Sequence, residues 1–146
     1  MSFILFGFKG SGKTYWGRKL AQKWKKVFLD TDELLLEKTG HQTIRELYQA
    51  VGEKEFRSLE KQVIGELASV QQAVIAVGGG AVLDPENVAL LQKIGQLIYL
   101  DVSLETVQKR GVTLVQGPIE EIYRERKPIY ESIPARRVKV EDFDGL

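Results

Sequence analysis

Short apolar runs alternate with amphipathic stretches along the whole chain. Phe3 to Phe6 is apolar, ends at glycine and is too short for a helix, so it reads as a buried strand. From Lys13 to about Lys25, Trp16, Leu20, Ala21 and Trp24 recur at helical spacing. Val27 to Leu29 is a second strand, closing at Asp30. Asp32 to about Lys38 is helical in pattern. Thr43 to Ala50 opens with Thr-Ile-Arg-Glu, a capping box. From Lys54 to about Val70, Phe56, Leu59, Val63, Ile64 and Leu67 share one face. Ala73 to Val77 is a third strand, stopped by Gly78, Gly79 and Gly80. Asp84-Pro85 predicts an N-cap followed by proline at the first helical position. Leu97 to Leu100 is a fourth strand, and Ser103 caps a helix reaching Arg110. Ile119 to about Tyr130 is a last helix, and Arg137 to Val140 a fifth strand.

Such alternation predicts an α/β fold: a three-layer αβα sandwich with a mainly parallel five-stranded sheet covered on both faces. Ligands on such sheets sit beyond the carboxyl ends of the strands. Gly7 to Thr14, Asp30 to Asp32 and Gly78 to Gly80 each follow a predicted strand, so three separate motifs converge on one edge. The length, 146 residues, suits a single domain over the whole of 1–146.

A net charge of +1 gives no overall basic field for nucleic acid or an anionic membrane, so neither is expected as a partner. There is no cysteine, which excludes disulfides and thiolate zinc sites. The N-terminus lacks a signal-peptide pattern and no apolar stretch could span a bilayer, so a cytoplasmic protein is expected. No exposed apolar stripe stands out, and a monomer is expected.

Gly7-Phe8-Lys9-Gly10-Ser11-Gly12-Lys13-Thr14 matches G-x-x-x-x-G-K-[ST] at every fixed position. Glycines let successive backbone N–H groups point inward at phosphate oxygens, and the following helix adds its positive end. Lys13 would bridge the β- and γ-phosphates of ATP, and the Thr14 hydroxyl would hold Mg²⁺. A chance glycine-rich turn is the bland alternative, but the match also lies between a strand and a helix, as the motif requires.

Asp30-Thr31-Asp32 closes the second strand. One carboxylate can position Mg²⁺ through its water shell, and the other can orient or deprotonate an attacking hydroxyl. Alternatively, Asp32 is simply a helix N-cap. The third strand ends in glycine instead of aspartate, which leaves Asp30 as the best candidate for the metal carboxylate.

The ordered set GFKGSGKT, LDTDELLLEKTG, GEKEFRSLE, VGGGAVL and RKPIY resembles the shikimate kinase family, from about Ile4 to Tyr130. The P-loop is shared by many kinases of the nucleoside-monophosphate-kinase-like fold; D-T-D, E-F-R-x-x-E and G-G-G-A-V at these spacings are specific to this family. The resemblance implies ATP and shikimate as substrates, with Mg²⁺. It places Gly10, Ser11, Gly12, Lys13, Thr14, Tyr15 and Arg110 at the nucleotide, and Thr14 and Asp30 at the metal. It gives Lys13 and Asp32 catalytic roles, with Asp32 also binding substrate hydroxyls. Arg57 and Arg126 become clamps for the shikimate carboxylate, and Gly79 and Gly80 a backbone contact to substrate. An arginine fork suits a carboxylate, and Glu60, three residues on, could steady Arg57. A surface ion pair between Arg57 and Glu60 is the plainer reading.

Two departures accompany the resemblance. The family implies a lid carrying an arginine, but here the corresponding segment, about 111–118, is short and holds neither arginine nor lysine. Arg110 lies nearby without replacing it. The second departure is that Glu141 to Leu146 stands where a final helix is implied. A related sugar-acid kinase of the gluconate kinase type, and a nucleotide-binding regulatory protein with weak catalysis, are the competing readings; a nucleoside monophosphate kinase fits less well. His41 is expected in a solvated loop, Trp16 and Trp24 at the core margin, and Lys23 to Lys26 at a solvated helix end.

Overall fold

The computed structural model describes residues 1–142. The implied final helix, so far as it concerns Phe143 to Leu146, lies outside the described residues.

Five strands form one parallel sheet: β1 (Ser2–Phe6), β2 (Val27–Asp30), β3 (Ala73–Ala76), β4 (Gly95–Asp101) and β5 (Arg136–Lys139), in the spatial order β2-β3-β1-β4-β5. A central parallel strand is covered on both faces, so it should be apolar throughout. Ile4, Leu5 and Phe6 of β1 are indeed fully buried, and so are Val74 and Ile75 beside them. The edge strand β5 reads Arg-Arg-Val-Lys and is largely exposed.

The helices are α1 (Lys13–Trp24), α2 (Thr31–Thr39), α3 (Ile44–Glu66), α4 (Pro85–Ile94), α5 (Leu104–Lys109) and α6 (Ile119–Ser132). Their ends follow the capping chemistry. Asp84 accepts from the Glu86 N–H with Pro85 at the first helical position, and Ser103 accepts from the Thr106 N–H. The capping box of α3 forms with one change: Thr43 Oγ1 accepts from the Glu46 N–H at 3.1 Å, but Glu46 reaches back to the Gln42 N–H at 3.2 Å. The two helices expected between Thr43 and Val70 abut as α3, broken at Gly52, where φ is 83° and ψ 169°. Helical geometry ends at Glu66, earlier than the apolar pattern suggested, and passes into a 3₁₀ turn at Leu67–Ser69. Trp16 and Trp24 pack against the core as expected, while His41 is half-buried and not freely solvated.

A second, smaller cluster matters for function. Leu35 of α2 packs with Leu47, Phe56 and Val63 of α3 beside the main core. It fixes Phe56, and thereby the neighbouring Arg57, over the carboxyl edge of the sheet. Among the described residues, no helix is long and apolar enough to cross a membrane.

Candidate functional site

The turn after β1 carries the chain directly into α1. Gly10 and Gly12 adopt φ of 88° and 92°, in the left-handed region where a side chain is strained. Space restricts Gly10 as well, since a Cβ there would strike Val112. Lys13 curls over the loop and donates to the carbonyls of Gly7 and Phe8 at 2.7 and 3.2 Å. Burial lowers its ammonium to a pKa of about 8, against the opposing pull of Asp32 and Asp30. The Ser11 hydroxyl is buried and has no partner among the described residues. An unmet buried hydroxyl costs about 1–3 kcal/mol, so the loop retains an unspent hydrogen-bonding demand.

Beyond β2, Asp30, not Asp32, is the N-cap of α2. Its Oδ1 accepts from the Asp32 N–H at 2.8 Å and from the Glu33 N–H at 3.4 Å. The helix starts one residue earlier than the sequence pattern indicated because Thr31, fully buried, turns inward and accepts from the Gly78 N–H at 3.0 Å. The other oxygen of Asp30 accepts from Thr14 Oγ1 at 3.0 Å, so loop and strand end are joined by two hard oxygens. Asp32 is thereby freed from capping and faces inward. Burial and the Asp30 charge push its carboxyl up to about 6, against the pull of Lys13.

The third strand end supplies the opposite wall. Each of its glycines faces a different charged group. A Cβ on Gly78 would lie 2.8 Å from Asp32 Oδ1 and 3.2 Å from Glu60 Oε2. On Gly79 it would lie 3.4 Å from an Arg126 nitrogen, and on Gly80 it would collide with the Arg57 guanidinium. Three glycines in succession therefore let four charged side chains close over one backbone turn. Arg57 donates to Glu60 Oε1 at 2.9 Å, and Glu60 is only 1% exposed. The pair is thus not the surface pair of the plainer reading. Burial raises the Glu60 pKa, while Arg57 opposes the rise. Arg126 is buried on α6 beside Tyr130, whose hydroxyl donates to the Gly79 carbonyl.

One cleft of about 430 Å³ joins these walls. Gly10, Lys13, Thr14, Asp30, Asp32, Arg57, Gly79, Gly80 and Arg126 all line it. Four of the predicted residues do not. Ser11 and Gly12 lie within the loop, Tyr15 is exposed with its ring against Trp16, and Arg110 donates to the Gly10 carbonyl from outside the lining. Two lining cations were not singled out from the sequence: Lys9, within the P-loop motif, and Arg45, within the capping box. Their only sequence signal was their position inside motifs whose other residues drew attention.

Among the described residues, no group of three or more His, Asp or Glu is placed to hold a metal. The Thr14–Asp30 pair nevertheless suits Mg²⁺, which takes one or two protein oxygens and completes its shell with water and phosphate.

A family model described as shikimate kinase matches residues 9–143. A shikimate kinase of Moorella thermoacetica is 41% identical over 138 residues, covering 88% of this chain and 79% of that protein. The crystal structure of shikimate kinase from Aquifex aeolicus superposes with a TM-score of 0.84 at 29% identity, covering 98% of this chain and 88% of that one. The Acinetobacter baumannii shikimate kinase solved in complex with shikimate gives 0.83 at 32% identity, over 94% and 82% of the two chains.

Proposed function

The chain belongs to the shikimate kinase family, and from that premise we propose how its cleft divides the work of moving a phosphoryl group from ATP to the 3-hydroxyl of shikimate. The reaction places the protein in aromatic amino acid biosynthesis. The observation that carries the reading is the single cleft in which Lys13, Asp32, Arg57 and Arg126 face the same space.

Arg57 and Arg126 bind the shikimate carboxylate. The planar fork of an arginine meets a carboxylate with paired hydrogen bonds, and here the carboxylate of Glu60 and the hydroxyl of Tyr130 already steady the two forks. Gly79 and Gly80 leave the backbone bare so that the substrate ring can approach it. Asp32 faces the acceptor hydroxyl. With a pKa near 6 it is ionised at neutral pH yet basic enough to take a proton. The hydroxyl oxygen forms a bond to the γ-phosphorus as the bond from that phosphorus to the bridging oxygen of ADP breaks. The hydroxyl proton passes to Asp32.

The P-loop amides and the α1 N-terminus hold the triphosphate, and Lys13 spans its β- and γ-groups. Anionic phosphate beside Lys13 favours the ammonium form that burial disfavours. Ser11 brings to the same loop a hydroxyl that has no partner among the described residues. Mg²⁺, held by Thr14 and Asp30, would neutralise phosphate charge.

Both arginines would also accept another sugar acid, so the assay must compare acceptors. A coupled ADP-release assay with shikimate and gluconate, run on wild type and Asp32→Asn, tests the proposal. Wild type is expected to consume shikimate. Asp32→Asn is expected to lower kcat by about 10²–10⁴-fold, as removal of a general base does, with ATP affinity largely retained. Consumption of gluconate with shikimate ignored would overturn the substrate assignment. Tight ATP binding without any product would favour a regulatory protein.

A further inference from the structure

Five cations line the cleft: Lys9, Lys13, Arg45, Arg57 and Arg126. Three of them are accounted for. Lys13 lies on the loop carbonyls, Arg57 on Glu60, and Arg126 is buried beside Tyr130. Lys9 and Arg45 differ. Among the described residues neither has an ion pair, and both reach the same residue from different elements. Lys9 Nζ donates to the Thr113 carbonyl at 2.9 Å, and Arg45 donates to Thr113 Oγ1 at 3.3 Å. Lys9 projects from the P-loop and Arg45 from the first turn of α3. They meet over the mouth of the cleft, where Leu114, Val115 and Gln116 complete its lining.

The chemistry requires charge in that place. A transferring phosphoryl group spreads negative charge over three oxygens, and catalysis of the step consists mostly of positioning and cationic stabilisation. Segment 111–118 lends Leu114, Val115 and Gln116 to the lining but contributes no cation of its own. Exposed lysine and arginine side chains resting on a carbonyl and a hydroxyl are held by neutral acceptors, which a phosphoryl oxygen outcompetes. The Lys9 ammonium is also close enough to Lys13 and Asp32 for its charge to act on both, so it stands between the phosphate loop and the residue facing the acceptor hydroxyl.

We propose that Lys9 and Arg45 are catalytic cations that leave Thr113 for the transferred phosphoryl group, supplying the positive charge that segment 111–118 lacks. The proposal rests on the phosphotransfer reading above. Lys9 arrives from the loop side and Arg45 from the side of the acceptor wall, so together they bracket the group in flight. Thr113 supplies the neutral acceptors that both side chains would give up.

Lys9→Met, Arg45→Met and the double variant of the full chain test this, beside the charge-keeping Lys9→Arg and Arg45→Lys. Three quantities are read: kcat, the affinity for ADP, and the affinity for ADP with aluminium fluoride and Mg²⁺ in the presence of the acceptor acid, a mimic of the group in flight. Each methionine variant is expected to lower kcat by about 10–10²-fold, the scale for removing one preorganised donor. The aluminium fluoride complex should weaken by a similar factor, while ADP affinity and the KM for the acid move less than about threefold. The charge-keeping variants should recover most of the loss. Wild-type kcat in the double variant, or equal losses of ADP and aluminium fluoride affinity, would overturn the proposal. If wild type uses a different acid, the substrate assignment fails, while the same ratios measured with that acid still judge the two cations. A wild type inert with every acid overturns both.

Discussion

At the pole of the cleft formed by Arg57, Glu60, Arg126 and Gly78 to Gly80, charges are buried or half-buried and held by protein groups. At the pole formed by Lys9, Arg45 and segment 111–118, with Arg110 beside it outside the lining, the cations are exposed and rest on carbonyls or a hydroxyl. Both poles present cations, but they hold them differently. A buried ion pair costs desolvation and returns a fixed geometry; a surface cation on a neutral acceptor is easily redirected. The first arrangement suits a carboxylate that stays bound throughout the reaction. The second suits a group whose charge moves while it transfers. The contrast can be broken by substitutions that disturb one pole and are read at the other.

Gly80→Ala should have the largest effect. Gly80 has φ of −95°, which any residue adopts, so the backbone tolerates the change. The added methyl instead occupies the space of the Arg57 guanidinium, the free end of a flexible side chain. Arg57 must swing away, and the clamp is lost without the fold. Hydrogen bonds to charged groups contribute about 1.5–3 kcal/mol, so the KM for shikimate should rise about 10–10²-fold while Tm moves little. A large fall in Tm with unchanged KM would mean that the glycine serves the fold and that the substrate pole is not held as described.

The two poles also differed in how legible they were. The pole around Arg57 was legible only through the family resemblance, whose motifs are local (three glycines after a strand, and Arg57 three residues before Glu60 on one helix); the residues alone left Arg57 and Glu60 as a surface ion pair. Parallel strands and helix caps were readable from the residues themselves, since periodicity and capping are interactions between near neighbours along the chain. What could not be read was pairing between distant segments. Lys9 meets Thr113 across 104 positions, and Arg45 meets it across 68. Thr31 looked like a spacer between two aspartates, yet its hydroxyl accepts from the Gly78 N–H and turns the helix start, which transfers capping from Asp32 to Asp30. The break at Gly52 separated two apolar patterns as expected, but only the structure shows that the two helices abut without a loop.

Glu60→Gln should have an intermediate effect and carries a pH signature. The folded-state pKa of Glu60 is raised above the ordinary 4.5, chiefly by burial. A group raised in this way contributes its stability fully below the unfolded value and loses it as pH rises through the folded value. In its ionised form Glu60 therefore weighs against folding while it fixes Arg57. Glutamine removes the charge and weakens the hold. Relative to wild type, the Tm of Glu60→Gln should become more favourable as pH is raised from about 4 to 8, and the KM for shikimate should rise about tenfold at neutral pH. A Tm difference that stays constant across that range would show that Glu60 is not held in a charge-disfavouring site, and the contrast between the poles would lose its electrostatic basis.

Val112→Ala should have the smallest effect, and it probes the looser pole alone. Val112 is half-buried, packs against the main core and crowds Gly10 from the side of segment 111–118. Removing its two methyl groups from a partly buried position costs about 1 kcal/mol, or a Tm lower by a few degrees for a chain of this length. The segment would then sit less firmly on the P-loop, so kcat should fall by a small factor through poorer placement of Thr113 and its two cations. The substrate pole has no stake in that contact: Arg57 is anchored through Phe56 in the cluster shared by α2 and α3, and Arg126 is buried on α6. The KM for shikimate should therefore stay within about twofold, well under a 1 kcal/mol change. If Val112→Ala instead raised that KM as far as Gly80→Ala does, the two poles would be one coupled unit. The exposed cations over the mouth would then belong to the machinery that holds the acid, not to a separate set free to follow the phosphoryl group.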